Sequence, residues 1–498
     1  MRLSCFGQIM SVAGLAVLFL LPIAGTRAQR ITVDGRLSPA QTLIGPNYAI
    51  GANLGKQVGS NLFHSFGAFG LNRNETATFS GPASGAAVAN VIGRVTGGAQ
   101  SSIDGTVRSA MPGANVYLIN PAGVVFGPNA QVNVSGSFHA SSADYLRLQD
   151  GARFQATNPD ASTLTAAPPA AFGFLSPNPG PVTVSGATLG AAKGGTLGLV
   201  GGPVTISGGV LQAPAGAVHI TSAAGPGEVA VNPRSAPAST VSSFGPVRVG
   251  GKSKIAVSDA AGLGSGGSVF IRAGALDVAA ASEIDADNHG AGPGGVVSLR
   301  SDGAVTISDG ANVHADTYGT GRGGTVTVRA DSIVQDASYI SANTQGTGQG
   351  GEIGVTATGN LTILNGGNIS SITSGAGSGG QVTASAGSLA ISLGGQITAG
   401  TYSSGDAGSV SVRVPGTMVI DGSGATGLTG IGSQAQPGST GNAGSMAVSA
   451  GNLTIRNGGA ISSNTFGPGG SVTVQADSIM LQDAGYISAN TQGTGQGG

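Results

Sequence analysis

From Ile31 onward, short runs in which aliphatic and polar residues alternate are broken every few positions by glycine, proline or asparagine. A period of two is the strand period, and such brief, frequently interrupted runs predict many short strands without long helices. The pattern is sharpest between Ala114 and Leu148, where β-type runs at Val116–Ile119, Val124–Phe126 and Gln131–Val134 are separated by Asn120-Pro121-Ala122-Gly123 and Gly127-Pro128-Asn129. Proline has no amide hydrogen for a ladder, while glycine and asparagine accept the backbone of a tight corner. Breaks this short leave no room for a crossover helix, so strand, corner, strand, corner predicts a chain that coils into a β-solenoid.

Beyond about Gly266 the pattern becomes a repeat. Glycine boundaries ahead of β-runs fall at Gly267, Gly295, Gly324, Gly351, Gly380, Gly408, Gly444, Gly470 and Gly498, at spacings of 28, 29, 27, 29, 28, 36, 26 and 28. One unit reads Val326-Thr-Val328, then Ser332-Ile-Val-Gln, then Tyr339-Ile-Ser-Ala-Asn-Thr344, which predicts three short strands and a glycine-rich corner. A single unit cannot bury its apolar face alone, so units must stack. The expected register places Val326 over Ile353 and Val382. The predicted fold is all-β: a right-handed parallel β-helix (β-solenoid) with an N-terminal cap and three-strand repeats of about 28 residues. Ile31–Val33 reads as an edge or capping strand, and Phe63, Phe66, Phe69 and Phe79 supply bulk for the first open rung.

Composition narrows the class. Glycine supplies 91 of 498 residues and charged residues only 9%, yet hydrophobic residues make up 40%, which favours a folded array over disorder. The net charge of −1 gives no sign of a basic stripe for nucleic acid. Arg2, the apolar run Ile9–Ile23 and Thr26-Arg27-Ala28 form a cleavable secretory signal over residues 1–28. Removing it takes away Cys5, the one cysteine, so burial and ladder hydrogen bonds alone must hold the exported chain together.

The stretch from Asn120 to Phe138 resembles the secretion domain of the two-partner secretion exoproteins of the filamentous haemagglutinin type, which carry an Asn-Pro-Asn-Gly turn, aliphatics, Phe-Gly-Pro-Asn and Gly-Ser-Phe. The matching residues are Asn120, Pro121 and Gly123, Val124–Asn129 and Gly136–Phe138, with Ala122 in place of the second asparagine. Asn61–Phe66, Glu75–Phe79, Ile92–Gly98 and Ser102–Gly105 fit upstream, so the matched segments run from about Ile31 to about Val231. The resemblance implies export by the general secretory route, recognition by the periplasmic domains of a dedicated outer-membrane transporter, and folding outside the cell. It also implies that Asn120, Pro121 and Gly123 form the secretion-domain turn.

The expected organisation is a signal over 1–28, the secretion domain over 29–155, a β-helix extension with Pro/Ala-rich loops over 156–245, and the repeat array over 246–498. Residues 157–180 read as a loop thrown out of the continuing helix, and Pro233–Ser243 as a second loop. The last unit stops without a closing cap, which predicts a longer natural protein.

Catalytic chemistry is sparse. Four Gly-x-Gly-x-x-Gly fingerprints, starting at Gly262, Gly319, Gly346 and Gly493, precede alternating β-runs and read as corners, not dinucleotide sites. The five histidines show no zinc spacing. Asp285-Ala-Asp287-Asn288-His289 is the one tempting polar cluster, and its place at a corner predicts a solvated turn. No catalytic residue, cofactor or metal is expected, and the chain is not expected to be an enzyme. The reading is a secreted exoprotein or adhesin at the surface of a Gram-negative-type bacterium, its repeats forming a rod that meets a host, surface or carbohydrate ligand. The alternatives are a polysaccharide-acting β-helix enzyme, or a stalk for a further C-terminal effector domain.

Overall fold

The computed structural model describes residues 30–231, 235–259, 264–435, 439–465 and 469–491. The expected secretory signal over residues 1–28 lies outside these. The chain is a parallel β-helix: among the described residues its strands form a 25-stranded sheet, a 15-stranded sheet and a separate 4-stranded sheet, and both large sheets are almost wholly parallel. The three runs expected between Ala114 and Leu148 are the strands Asn115–Ile119, Val124–Phe126 and Gln131–Asn133.

Rungs stack in the expected register. Val326 lies over Ile353, Ile353 over Val382, Val382 over Val410 and Val410 over Met446, all of them buried. Identical spacing puts like side chains above one another, so a continuous aliphatic core runs along the helix axis. The described glycine fingerprints at 319–324 and 346–351 are corners leading into the strands Thr325–Ala330 and Glu352–Leu364.

The three-strand unit does not persist throughout. From Glu352 the first two strands merge into one long bent strand per rung, Glu352–Leu364, Gln381–Ser392 and Ser409–Asp421. The pairing shifts register between Ala357 and Asn360 without ending, because the corner stays extended enough to keep its ladder. The 36-residue unit spends most of its extra length at one corner: eight residues separate Asp421 from Gly430, where three separate Ser392 from Gln396.

At the N-terminal end Ile31–Val33 pairs antiparallel with Gln41–Thr42 and with Asn61–Phe69, and Gly55–Val58 pairs antiparallel with the same long strand. Antiparallel partners occupy the edge that a further rung would otherwise use. Phe66, Phe69 and Phe79 pack together under this cap, whereas Phe63 points the other way.

That opposite direction marks a second layer. Tyr145–Leu148, Arg153–Gln155, Pro169–Phe174 and Gly227–Ala230 form the antiparallel four-stranded sheet, packed outside the helix. Residues 157–180, expected as a loop, therefore contain one of its strands. Its apolar face (Leu146, Phe154, Phe172 and Phe174) meets Phe63, Ile92, Tyr117 and Ile119 in a second core. The helix strands beneath are buried on both faces, and this is why Asn90–Val95 and Asn115–Ile119 read as near-continuous apolar runs, not alternations. In the repeats the outer face is solvated, and alternation returns.

Candidate functional site

The Asn120–Gly123 turn sits where a helix corner meets the outer sheet. Asn120 is fully buried. Its Nδ2 donates to the Ala99 carbonyl and to Ser101 Oγ, both at 2.9 Å, and its Oδ1 accepts the Ala122 amide at 3.0 Å. The Gly123 amide returns to the Asn120 carbonyl at 2.8 Å and closes the turn. An asparagine side chain that accepts the amide two residues on is the hydrogen-bonded Asx-turn that makes this residue type suitable here. The side chain at 122 takes no part in that closure, so alanine there leaves the turn intact. Gly123 holds φ at +107°, and a Cβ on it would come within 2.6 Å of the Pro181 carbonyl oxygen of the next rung. Only glycine fits there.

Pro121 and Ala122 face outward and, with Asn120, line a cavity of ≈ 310 Å³ against Thr157 and Pro159. A neighbouring cavity of ≈ 540 Å³ shares Arg36 and Pro159 with it. The wall between them is locked by Arg94, whose side chain is fully buried. Arg94 Nη1 donates to the Gln155 carbonyl at 2.6 Å and to Ser162 Oγ at 2.5 Å, its Nε donates to Ser65 Oγ at 2.8 Å, and its guanidinium lies 4.3 Å from the Phe154 ring centre. Burial pulls its pKa down to about 10, still charged at neutral pH.

An asparagine ladder supports the same region from below. Asn115 donates to Asn90, Asn90 to Asn61, and Asn61 to the carbonyls of Thr165 and Ala167, so one column of amides ties three rungs to the outer segment. Sequence reasoning assigned no role to Arg94 or to this ladder. The available signals were a lone arginine inside an apolar strand and an asparagine heading each of three apolar runs.

The polar cluster at 285–289 is not the solvated turn that its corner position predicts. Asp285, Asp287 and Asn288 are buried, because parallel stacking sets Asp285 opposite His314 and Glu283 opposite Lys254. His314 Nδ1 meets Asp287 Oδ1 at 2.8 Å and its Nε2 meets Glu283 Oε1 at 3.0 Å, while Lys254 Nζ lies 3.1 Å from Glu283 and 3.2 Å from Asp285. Burial opposes charge on His314, but the hydrogen bonds to Asp287 and Glu283 outweigh it and push its pKa up to about 10. The hydrogen bond from His314 in turn holds Glu283 down to about 2. Asp285, Asp287 and His314 bring ligand-type atoms within 4.8 Å of one another, a spacing that suits a cation. Here Lys254 and the imidazolium supply the positive charge, and the arrangement is an ion-pair clamp across three rungs. His289 stands apart, stacked on Tyr318 at 4.8 Å.

The comparisons with known proteins decide the family. The family model of the TPS secretion domain matches residues 30–271. The chain carries a TPS secretion domain on its N-terminal side, which supports a two-partner secretion exoprotein. The fold is similar to the crystal structure of the HMW1 secretion domain from Haemophilus influenzae, with a TM-score of 0.52 at 20% identity over 77% of this chain and 91% of that one. No curated protein matches the chain in sequence. The matched span of the TPS domain takes in the cap, the Asn120 turn and all four strands of the outer sheet. Such a domain marks a secreted protein of Gram-negative bacteria that leaves through an outer-membrane transporter of the two-partner type; the family is a secretion domain, not an enzyme family.

Proposed function

We propose that this exoprotein is a non-enzymatic surface adhesin: the TPS domain is its export address and folding nucleus, and the stacked repeats are a rod that carries the adhesive surface away from the cell. Within this reading the chain enters the periplasm by the general secretory route, the transporter's periplasmic domains recognise the Asn120-Pro121-Ala122-Gly123 corner, and the helix then grows rung by rung outside. The observation that supports it is the division of labour in that corner. Asn120 and Gly123 hold the turn from within, while Pro121 and Ala122 are offered to a groove on the surface. Parallel stacking supports growth in one direction, because each completed rung templates the next. The test is co-expression with and without the cognate transporter. Extracellular protein only with the transporter, and adhesion of beads coated with the purified chain, are expected; export without the transporter, or coated beads that adhere no better than bare ones, would overturn the reading.

A further inference from the structure

We propose that the cavity where the secretion domain passes into the repeat array binds an acidic polysaccharide bearing one carboxylate per sugar. Arg272, Arg300 and Arg329 lie in register on three successive rungs of one sheet. Adjacent rungs are about 4.8 Å apart, and like charges so placed repel unless a counter-charge is provided. Arg272 has one: it pairs with Asp302, and its guanidinium sits 3.6 Å from the centre of the Phe244 ring. Arg300 and Arg329 are exposed, and among the described residues neither has a carboxylate within ion-pair distance.

The three arginines line a cavity of ≈ 600 Å³ together with Phe244, Phe270, Pro237 and Ser239. Beside the arginine column runs a second, in which Phe270 is followed by Ser298 and Thr327. The site thus offers the unpaired guanidiniums of Arg300 and Arg329 on adjacent rungs, the Phe270 ring and a row of hydroxyls. Guanidinium forks bind carboxylates in bidentate fashion. Aromatic faces accept the C–H face of a pyranose, and hydroxyls pair with hydroxyls. The rung spacing is close to the length of one pyranose in an extended chain, so successive uronates would meet successive arginines. Phosphates along a nucleic acid are spaced more widely and fit the column less well.

The proposal rests on the surface-exoprotein reading only for where the polymer is met. The experiment measures binding of oligogalacturonate, its carboxyl-reduced neutral form, a sulfated glycan and duplex DNA to the purified full chain. Oligogalacturonate should bind best, with affinity falling as salt rises, and Arg300→Gln with Arg329→Gln should lower it about tenfold or more. Arg413→Gln alters an exposed arginine further along the same sheet, outside the cavity, and should change nothing. Circular dichroism checks that the variants keep wild-type strand content. Binding of the neutral polymer as well as the acidic one, stronger binding of DNA or sulfated glycan, or equal losses in the double and control variants would each overturn the proposal. Adhesion by coated beads that survives in the double variant, together with unchanged oligogalacturonate binding, would remove this site and leave the adhesin reading standing.

Discussion

The ring of Tyr117 lies flat against that of His139, with centroids 4.8 Å apart and planes within 2°. His139 follows the same outer column as His219, two rungs on, and the Phe172 ring of the outer sheet lies 6.1 Å from it. Both histidines are buried, and burial pulls their pKa values down, to about 3 for His139 and about 4 for His219. An unfolded histidine titrates near 6.5. The folded values are lower, so the unfolded chain takes up protons first; the stability is complete above about pH 6.5 and is lost as pH falls toward 4 and below. Acid should therefore loosen the outer sheet. Protection factors of the amides in residues 145–174, corrected for the pH dependence of intrinsic exchange, are expected to fall between pH 6.5 and 4, and His139→Phe, which keeps a ring and removes the proton site, should flatten that profile.

The Asn120 turn can be separated from its surroundings by mutation. Asn120→Ala leaves the Ala99 carbonyl and the Ala122 amide without their partners, at a cost of about 1–3 kcal/mol each. Asn120→Ala with Pro121→Ala should block release to the medium in a strain carrying the transporter. Ala122→Asn should leave the fold of the turn unchanged, seen as wild-type strand content by circular dichroism, because the closure does not use that side chain. Wild-type release of the double variant would reduce the turn to scaffold.

Damage at a repeat corner should act differently. A Cβ at Gly348 would fall 1.8 Å from the Gly321 carbonyl oxygen, and one at Gly350 would fall 2.1 Å from the Gly380 amide nitrogen. The obstacle is the neighbouring rung, not a left-handed backbone. Gly348→Ala with Gly350→Ala should raise local exchange in the rungs on either side while export continues, as scored by extracellular protein.

The clamp at His314 should show the opposite pH sign to the buried histidines. Its folded value is raised, so its stabilisation is complete below about pH 6.5 and is lost as pH rises through about 10. Asp287→Asn removes one of the two anionic partners of His314 and leaves Glu283 in place, so it should cost about 1–3 kcal/mol at neutral pH. Faster exchange in residues 283–316 at pH 7, shrinking toward wild type above pH 10, is the expected readout. Neither wild type nor this variant is expected to cleave polysaccharides, as scored by release of reducing ends.

Leu393 occupies a left-handed corner with φ of +50°, where sibling rungs place Asn365 and Asn457 at +52°. A branched apolar side chain is strained there, and 45% of it is exposed. Leu393→Asn should stabilise the rod by about 1 kcal/mol, seen as a higher unfolding midpoint in denaturant.

The strand runs, the register of Val326 over Ile353 and Val382, and the corner at Asn120–Gly123 were legible in the sequence, because each depends on local periodicity and turn chemistry. What the chain does along its axis is a one-dimensional problem, and repeat spacing solves it. What happens across the axis depended on the tertiary structure. The outer sheet brings Phe154 and Phe172 to Phe63 and Tyr117, residues far apart in the chain with no shared period. Arg94 and the Asn61–Asn90–Asn115 ladder acquire partners only once that sheet is in place. Asp287 becomes a buried ion-pair partner because stacking, at a distance of 27 residues, sets His314 beside it. A corner residue is solvated or buried according to its neighbours on the adjacent rungs, and side-chain period alone carries no record of them.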